Sequence, residues 1–348
     1  MRQDSLNPAA SGEESRYSRQ LLFRGIGVQG QAKLAAARVA IVGCGATGSA
    51  LAALLGRSGV GMIRIIDRDF VETSNLQRQS LFDEADAAQS APKAIAASRK
   101  LAALNSHIAV DPRVDDLTPE NIEDLLGDAH LIMDGTDNFE TRYLINDFAV
   151  EKSRPWIYTA AVGSYAASMN ILPGQTACLT CIFPDSPNGT IETCETVGVL
   201  NSAVTMAASM AATEALKILT GAEERLRRTV ISYDIWQNER AEVSAATPRP
   251  DCRTCHGRDF VHLRGARKAQ ITLCGRNSVQ IHESRRPIDL AELSRALKPH
   301  GTVRYTEFLL KFWREPYEIT LFPDGRAIIK GTVDKGLARS LYARYVGI

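Results

Sequence analysis

Val39-Ala40-Ile41-Val42-Gly43-Cys44-Gly45-Ala46-Thr47-Gly48-Ser49 reads as a short apolar strand, a glycine-rich turn and the first residues of a helix. The turn has the spacing Gly43-x-Gly45-x-x-Gly48. Glycines let a backbone pass close to phosphate oxygens, and the helix that follows offers N–H donors and partial positive charge at its start. The next apolar run, Met62–Asp67, ends in a carboxylate 24 residues after Gly43, placed to accept hydrogen bonds from ribose hydroxyls. A strand, such a turn, a helix and a second strand ending in Asp67 open a nucleotide-binding α/β unit. By themselves they suit an NAD(P)-dependent oxidoreductase equally well, and tight helix–strand packing alone also explains the glycines.

Working outward, the same alternation continues. Pro92–Leu104 is an Ala-rich helix with proline at its start, where the missing N–H costs little. Leu131–Asp134 is a strand and Phe139–Glu151 a helix. This order predicts a doubly wound, mainly parallel Rossmann-like α/β sheet. Upstream, Arg16–Ala36 reads as one helix with Leu21, Leu22, Ile26 and Leu34 as candidate buried positions, behind a loose polar tail at 1–15. Downstream, Thr196–Leu219 reads as a long buried helix, and Ile231–Tyr233 and Glu239–Val243 as strands. The Pro, Arg and Gly of 247–266 suggest a boundary. Residues 16–262 then form one domain, and 263–348 a small α+β module. In that module short runs at 270–273, 278–281, 302–305, 317–321 and 327–329 flank helices at 288–298 and 333–345.

Composition narrows the class. The 348 residues hold 41 Lys+Arg against 40 Asp+Glu, a balance that gives no electrostatic argument for a nucleic-acid or membrane partner. The most apolar run, Val39–Leu55, is broken by Gly43, Gly45 and Gly48, and no run reaches the ~18–20 residues that span a bilayer. With no export signal, the chain is expected in the cytoplasm.

A polar constellation separates the nucleotide readings. Ser74-Asn75-Leu76-Gln77-Arg78-Gln79 follows the Asp67 strand. A dehydrogenase has no use for Asn75 and Arg78 there. An enzyme that directs attack on an α-phosphate does, because departing pyrophosphate gathers charge that a guanidinium stabilises. Lys93 at the next helix start can reach a triphosphate. Asp137, in Asp134-Gly135-Thr136-Asp137-Asn138, is a carboxylate suited to Mg²⁺ held mostly by nucleotide oxygens and water. Each has a plain alternative: Arg78 and Lys93 solvated, Asp137 a helix cap, Asn75 a turn residue. Together, at the carboxyl edge of one parallel sheet, they point to a single cleft.

Seven cysteines, an odd count, argue against a disulfide framework. Cys178-x-x-Cys181 and Cys252-x-x-Cys255, with 70 residues between the pairs, make a Cys₄ zinc-ribbon pattern. Four thiolates close the shell, so the metal is structural. Two unrelated or redox-active pairs are the alternative. Cys194 lies in a polar loop before the long helix, where a thiolate is favoured, or is a plain exposed thiol. Cys44 reads as a small buried filler and Cys274 as a core residue.

These stretches together resemble the ThiF/MoeB family, bacterial relatives of ubiquitin-activating enzymes. The resemblance is carried by RYSRQ (16–20), VAIVGCGATGS (39–49), SGVG (58–61), SNLQRQ (74–79), PK (92–93), TDN (136–138), CLTC (178–181), TCETVGV (193–199), EALKIL (214–219) and CRTC (252–255), in family order. Thr47 departs from it, since relatives more often carry Gly or Leu. The tail module, with LFPDGRAIIKGT (321–332), resembles an extension of longer ThiF-like proteins.

The resemblance implies ATP- and Mg²⁺-dependent adenylation of the Gly-Gly terminus of a small ubiquitin-like sulfur-carrier protein, ThiS-like or MoaD-like, for thiamin or molybdopterin synthesis. It implies a homodimer, and a cysteine desulfurase or rhodanese as sulfur donor. Matched motif by motif, Asp67 binds ribose, Asn75, Arg78 and Lys93 handle phosphates, and Asp137 with its neighbour Asn138 serves the Mg²⁺–nucleotide. Arg19 is the finger reaching the partner's site, and Cys194 is the cysteine that in ThiF-like members can link sulfur to the carrier. Related enzymes that adenylate small peptides in maturation pathways are the alternative substrate class.

Overall fold

In this computed structural model, residues 16–184, 196–265, 278–281, 288–323 and 325–347 are described. The chain divides into two compact units, Met1–Arg267 and Lys268–Ile348.

In the first unit, α1 (Ser18–Leu21) and α2 (Gly27–Ala36) precede β1 (Arg38–Val42) and α3 (Ala46–Arg57). Then come β2 (Met62–Ile66), α4 (Glu84–Ala88), α5 (Lys93–Leu104), β3 (Ala109–Arg113), α6 (Ile122–Leu126), β4 (Leu131–Asp134) and α7 (Phe139–Glu151). Strands β5 (Trp156–Val162) and β6 (Tyr165–Ile171), short helix α8 (Leu179–Ile182), α9 (Asn201–Thr220), β7 (Thr229–Asp234) and β8 (Glu239–Ser244) complete it. The sheet order is β3-β2-β1-β4-β5-β6-β7-β8. It is parallel from β3 to β5 and antiparallel beyond. This is the doubly wound sheet expected, extended by a meander.

The central strands read as unbroken apolar runs because both faces are covered. One core layer joins Ile41, Ile63 and Ile65 to Leu51 and Leu55 of α3, Leu101 of α5 and Ala208, Ala211 and Ala215 of α9. The other joins Val42 and Ile132 to Tyr143, Ile145 and Phe148 of α7. The strand order reverses between β1 and β4, whose pairing stays parallel. Chain leaving β1 turns one way into α3, and chain leaving β4 turns the other way into α7. In open α/β sheets such a switch point, outside the carboxyl ends of the strands, is where ligands bind.

Three expectations are corrected. The helix expected over 16–36 is two helices, because the chain turns at 22–26 and re-enters through Gly27 at φ +59°. Leu22, expected buried, is 72% exposed at that turn. The long helix starts at Asn201, not Thr196. Val199 instead pairs in parallel with Gly163 across from the β5–β6 turn, and Gly198 sits at φ +75°. The meander strands β5 and β6 and the edge strand β3 had no counterpart in the sequence reading. Pro112 in β3 is tolerated because an edge strand need not donate on its open side.

The second unit is a five-stranded antiparallel sheet in the order β10-β11-β12-β13-β9. Its strands are β9 (Ser278–Ile281), β10 (Thr302–Tyr305), β11 (Leu310–Arg314), β12 (Tyr317–Leu321) and β13 (Ala327–Lys330). Helices α10 (Leu290–Leu297) and α11 (Lys335–Val346) pack on a core of Leu310, Phe312, Ile319, Leu321 and Ile329. The strand expected at 270–273, and Cys274, lie outside the described residues. Among the described residues, no helix is long and apolar enough to cross a membrane.

Candidate functional site

The glycine loop sits at the switch point, and its glycines do different work. Gly43 has φ +84°, and a Cβ there would meet the Gly135 carbonyl oxygen at 2.7 Å. A Cβ on Gly48 would strike the Gly43 oxygen at 1.9 Å. These two glycines are needed to bring the β1 turn, the start of α3 and the β4 turn into contact. Gly45 is different, since a Cβ there meets nothing nearer than Gln79 Nε2 at 4.0 Å. Internal packing does not demand a glycine at 45, and the space beside the start of α3 is open there. The first N–H groups of a helix lack intrahelical partners, and no side chain caps the start of α3, which suits it to cradle a phosphate.

Asp67, at the end of β2, braces this loop. Its carboxylate accepts from Cys44 N–H at 2.6 Å and from Asp69 N–H at 2.7 Å. Burial pushes its carboxyl above the usual range, against the opposing pull of Lys93 and of those two N–H groups. Cys44 is fully buried, and burial drives its thiol well above its ordinary value, as expected of a filler rather than a nucleophile.

Lys93 is the first residue of α5, with a side chain only 5% exposed. Its ammonium lies 3.1 Å from Asp69 Oδ2, and its backbone N–H donates to Asp69 O at 2.8 Å. Asn75 is buried and its Oδ1 accepts from Glu72 N–H at 3.2 Å, closing a reciprocal cap on the 3₁₀ turn Thr73–Asn75. Asn75 thus serves as a turn residue here. Arg78 donates to the Ser74 carbonyl at 2.9 Å.

At the β4 turn the expected roles separate. Asn138 caps α7, accepting from Thr141 N–H at 2.8 Å. Asp137 does not cap, and its carboxylate is exposed at that turn, with Asn138 Nδ2 at 3.5 Å. The turn carrying Asp137 is held from below by Arg142, which sequence reasoning missed. Arg142 is buried, and its Nε donates to Asp134 Oδ2 at 2.8 Å. Its Nη2 donates to Thr136 O at 2.7 Å and Thr159 O at 3.1 Å, and its guanidinium lies 4.9 Å from the Tyr158 ring centroid. Asp134 in turn accepts from the backbone N–H and the hydroxyl of Thr136. Arg142 falls four residues after the α7 cap, on the face that carries Tyr143 and Ile145. A charge on the inward side of a helix was the signal available.

Arg19 lies away from this cluster. Its neighbours anchor the N-terminal segment at the far ends of the helices. Gln20 Nε2 donates to Ser58 O at 2.9 Å, Tyr17 Oη accepts from Asn105 Nδ2 at 2.7 Å, and Arg16 donates to Leu104 O at 2.9 Å. Cys194 lies outside the described residues.

The four cysteines of the two Cys-x-x-Cys pairs come together. Cys178 and Cys181 sulfurs are 3.8 Å apart, Cys178 and Cys252 3.7 Å, and Cys181 and Cys255 3.7 Å. A tetrahedron with Zn–S bonds of about 2.3 Å has edges of about 3.8 Å. The donor set thus fits zinc in spacing as well as chemistry. N–H groups point at the sulfurs as they would at thiolates: Arg249 N–H at 3.3 Å from Cys181, Cys255 N–H at 3.5 Å from Cys252, and Asn146 Nδ2 at 3.7 Å from Cys178. His256 is exposed and outside the group. One tightly held zinc per chain is expected by metal analysis. Cys252→Ser should lose it and lower the thermal midpoint by on the order of 10 °C, since closing a site between distant turns is folding energy. A metal-free protein of unchanged stability would refute this.

Residues 17–254 match the ThiF family. The chain is 45% identical over 337 residues to the sulfur carrier protein ThiS adenylyltransferase of Bacillus subtilis (strain 168), covering 95% of this chain and 99% of that one. It is 37% identical to the adenylyltransferase and sulfurtransferase MOCS3 of Sus scrofa over 71% of this chain, and spans 54% of that longer protein. A crystal structure of E. coli MccB with ATP superposes with a TM-score of 0.61 at 25% identity, covering 70% of this chain and 76% of the other. The match runs from the N-terminal helix through the glycine loop to the second cysteine pair, over a sheet of the same architecture, and the chain belongs to the ThiF family.

Proposed function

We propose that this protein adenylates the C-terminal carboxylate of a small ubiquitin-like sulfur-carrier protein, using ATP and releasing pyrophosphate. The observation that carries the reading is a set of three groups. In this reading the open glycine at the start of α3, the buried ammonium at the start of α5 and the exposed carboxylate of Asp137 at the β4 turn serve one nucleotide. A nicotinamide enzyme would use the glycine loop and Asp67 but not Lys93 or Asp137. The kinship to a ThiS adenylyltransferase over nearly the whole of both chains supports the same reading.

No general base is required. A chain terminus has a pKa near ~3.5 and is already ionised at neutral pH. The enzyme's work is alignment and charge stabilisation. A carboxylate oxygen of the carrier bonds to the α-phosphorus as the bond from that phosphorus to the β-bridging oxygen breaks, and pyrophosphate leaves with the electron pair. In this reading Asp67 holds ribose, the α3 N–H groups and Lys93 hold phosphates, and Asn75 and Arg78 line the pyrophosphate side. Asp137 would hold Mg²⁺, which supplies charge neutralisation on the triphosphate. Arg19 from a second copy completes the site. Cys194, and a desulfurase or rhodanese donor, belong to the later sulfur step.

The test is exchange of labelled pyrophosphate into ATP by the zinc-loaded protein. Exchange should require a carrier with a free Gly-Gly terminus and vanish when that terminus is amidated. Exchange driven instead by a short peptide would move the substrate to the peptide-maturation class.

A further inference from the structure

The two cysteine pairs share more than their thiols. Each carries a threonine directly before its second cysteine, in Cys178-Leu179-Thr180-Cys181 and Cys252-Arg253-Thr254-Cys255. Both threonines are buried, and their hydroxyl oxygens lie 3.1 Å apart. Two successive residues of α7, Asn146 and Asp147, reach them, and both are fully buried. Asn146 serves the first pair. Its Nδ2 lies 3.7 Å from Cys178 Sγ and 3.2 Å from Thr180 Oγ1, and its Oδ1 accepts from Leu179 N–H at 2.8 Å. Asp147 serves the second. Its Oδ1 is 3.5 Å from Thr254 Oγ1, and its Oδ2 accepts from His262 N–H at 2.9 Å. An amide and a carboxylate are costly to bury unless their polar atoms are used. Here they bond to both segments that carry the cysteines, segments with 70 residues between them.

We propose that Asn146 and Asp147 are positioning residues for the zinc: through Thr180 and Thr254 they hold the two cysteine pairs at the spacing the metal needs, and Asn146 donates to the Cys178 thiolate. The proposal rests on the reading of the four cysteines as a zinc site. Groups that already join the pairs reduce the chain entropy lost when the metal closes them. Groups that hydrogen-bond the ligands of a metal also orient them, and losing one typically costs about 10- to 100-fold in metal affinity.

The test is the zinc affinity of the full chain, measured by equilibrium competition with a chelator at a temperature where every variant is folded, together with the absorption of the cobalt-substituted protein. Asn146→Asp keeps the size and the acceptor for Leu179 N–H but removes both Nδ2 donors. Its zinc affinity should fall by about 10- to 100-fold. Its sulfur-to-cobalt charge-transfer band should move to longer wavelength, because a thiolate that loses an N–H donor gives up charge more easily. Thr254→Val should weaken zinc without moving that band, since its hydroxyl meets Thr180 and Asp147 rather than sulfur. Thr254→Ser, which keeps the hydroxyl, should bind zinc as the parent does. Ile145→Val, at a neighbouring core position of α7, is the control. It should lower the thermal midpoint and leave zinc affinity unchanged. Parental affinity in Asn146→Asp or in Thr254→Val overturns the proposal. So does an unmoved cobalt band in Asn146→Asp, or an equal loss of zinc in Ile145→Val. A parent protein that binds no zinc removes the reading of the cysteines and the proposal with it.

Discussion

Asp137→Ala is expected to lower carrier-dependent ATP–pyrophosphate exchange by about 100- to 1000-fold, the usual cost of removing a group that stabilises transition-state charge. The fold should be untouched. Asp137 is exposed, Asn138 rather than Asp137 caps α7, and the turn is held by Arg142 through the Thr136 carbonyl and through Asp134. None of these contacts uses the Asp137 side chain, so its loss reads chemistry and not packing. Zinc content and thermal midpoint should match the parent. A magnesium titration sharpens the result. If Asp137 contributes one oxygen to a metal otherwise held by phosphates and water, the residual exchange of the variant should need more Mg²⁺ for half-saturation. Exchange at the parent rate would take Asp137 out of the site.

How far the sequence reaches is itself a matter of contact range. The strand–glycine loop–helix unit was legible because its signal is local: an apolar run, three glycines at fixed spacing, and a helix start within a dozen residues. The cysteine cluster was legible because four thiols in two pairs have few other uses, even with 70 residues between the pairs. The β5–β6 hairpin turns on Gly163-Ser164, with Gly163 at φ +58°. It went unread because Trp156–Val162 and Tyr165–Ile171 lack clean alternation: at the end away from the turn, Trp156–Thr159 and Ser168–Ile171 are buried on both faces. The start of α9 was misplaced for a tertiary reason, since the bridge from Val199 to Gly163 joins residues far apart in the chain. Within the site the pattern repeats. Residues that a motif singles out by type and spacing, such as Asp67, Lys93 and Asp137, could be named. Asp69 and Arg142, which hold them, could not, because what they do depends on which partner the fold brings to them. Arg78 and Asn75 fall between. Their motif singles them out, while the contacts they make here, to Ser74 and Glu72, are those of an ordinary turn.

Arg19→Ala and Asp137→Ala should each be almost inactive alone and should recover roughly a quarter of parental exchange when mixed, provided that one site of a dimer works alone and each truncation is as severe as loss of a transition-state contact. The structure supplies the geometric argument. The segment bearing Arg19 is pinned at Ser58, just beyond the C-terminal end of α3, and at Leu104 and Asn105, at the C-terminal end of α5. The proposed nucleotide site is at the opposite ends of those helices, at Gly45 and Lys93. Each helix has 12 residues, or ~18 Å at 1.5 Å per residue, well beyond the span of one arginine side chain. If Arg19 stabilises charge on a transferring phosphate, a role for which guanidinium is well suited, the phosphate must lie in another copy of the chain. Two more features of the segment fit a surface that meets a partner: Arg19 is exposed, and Leu22 and Phe23 beside it are 72% and 65% exposed. Random subunit exchange of equal amounts makes half the dimers mixed. Each mixed dimer has one site with intact Asp137 from one chain and intact Arg19 from the other, and one site with both defects, so about one site in four is whole. Mass-tagged subunits establish that exchange has occurred. Recovery near a quarter would place Arg19 across the dimer. No recovery after proven exchange would mean that Arg19 serves its own chain through a rearrangement of the N-terminal segment, or has no part in the reaction.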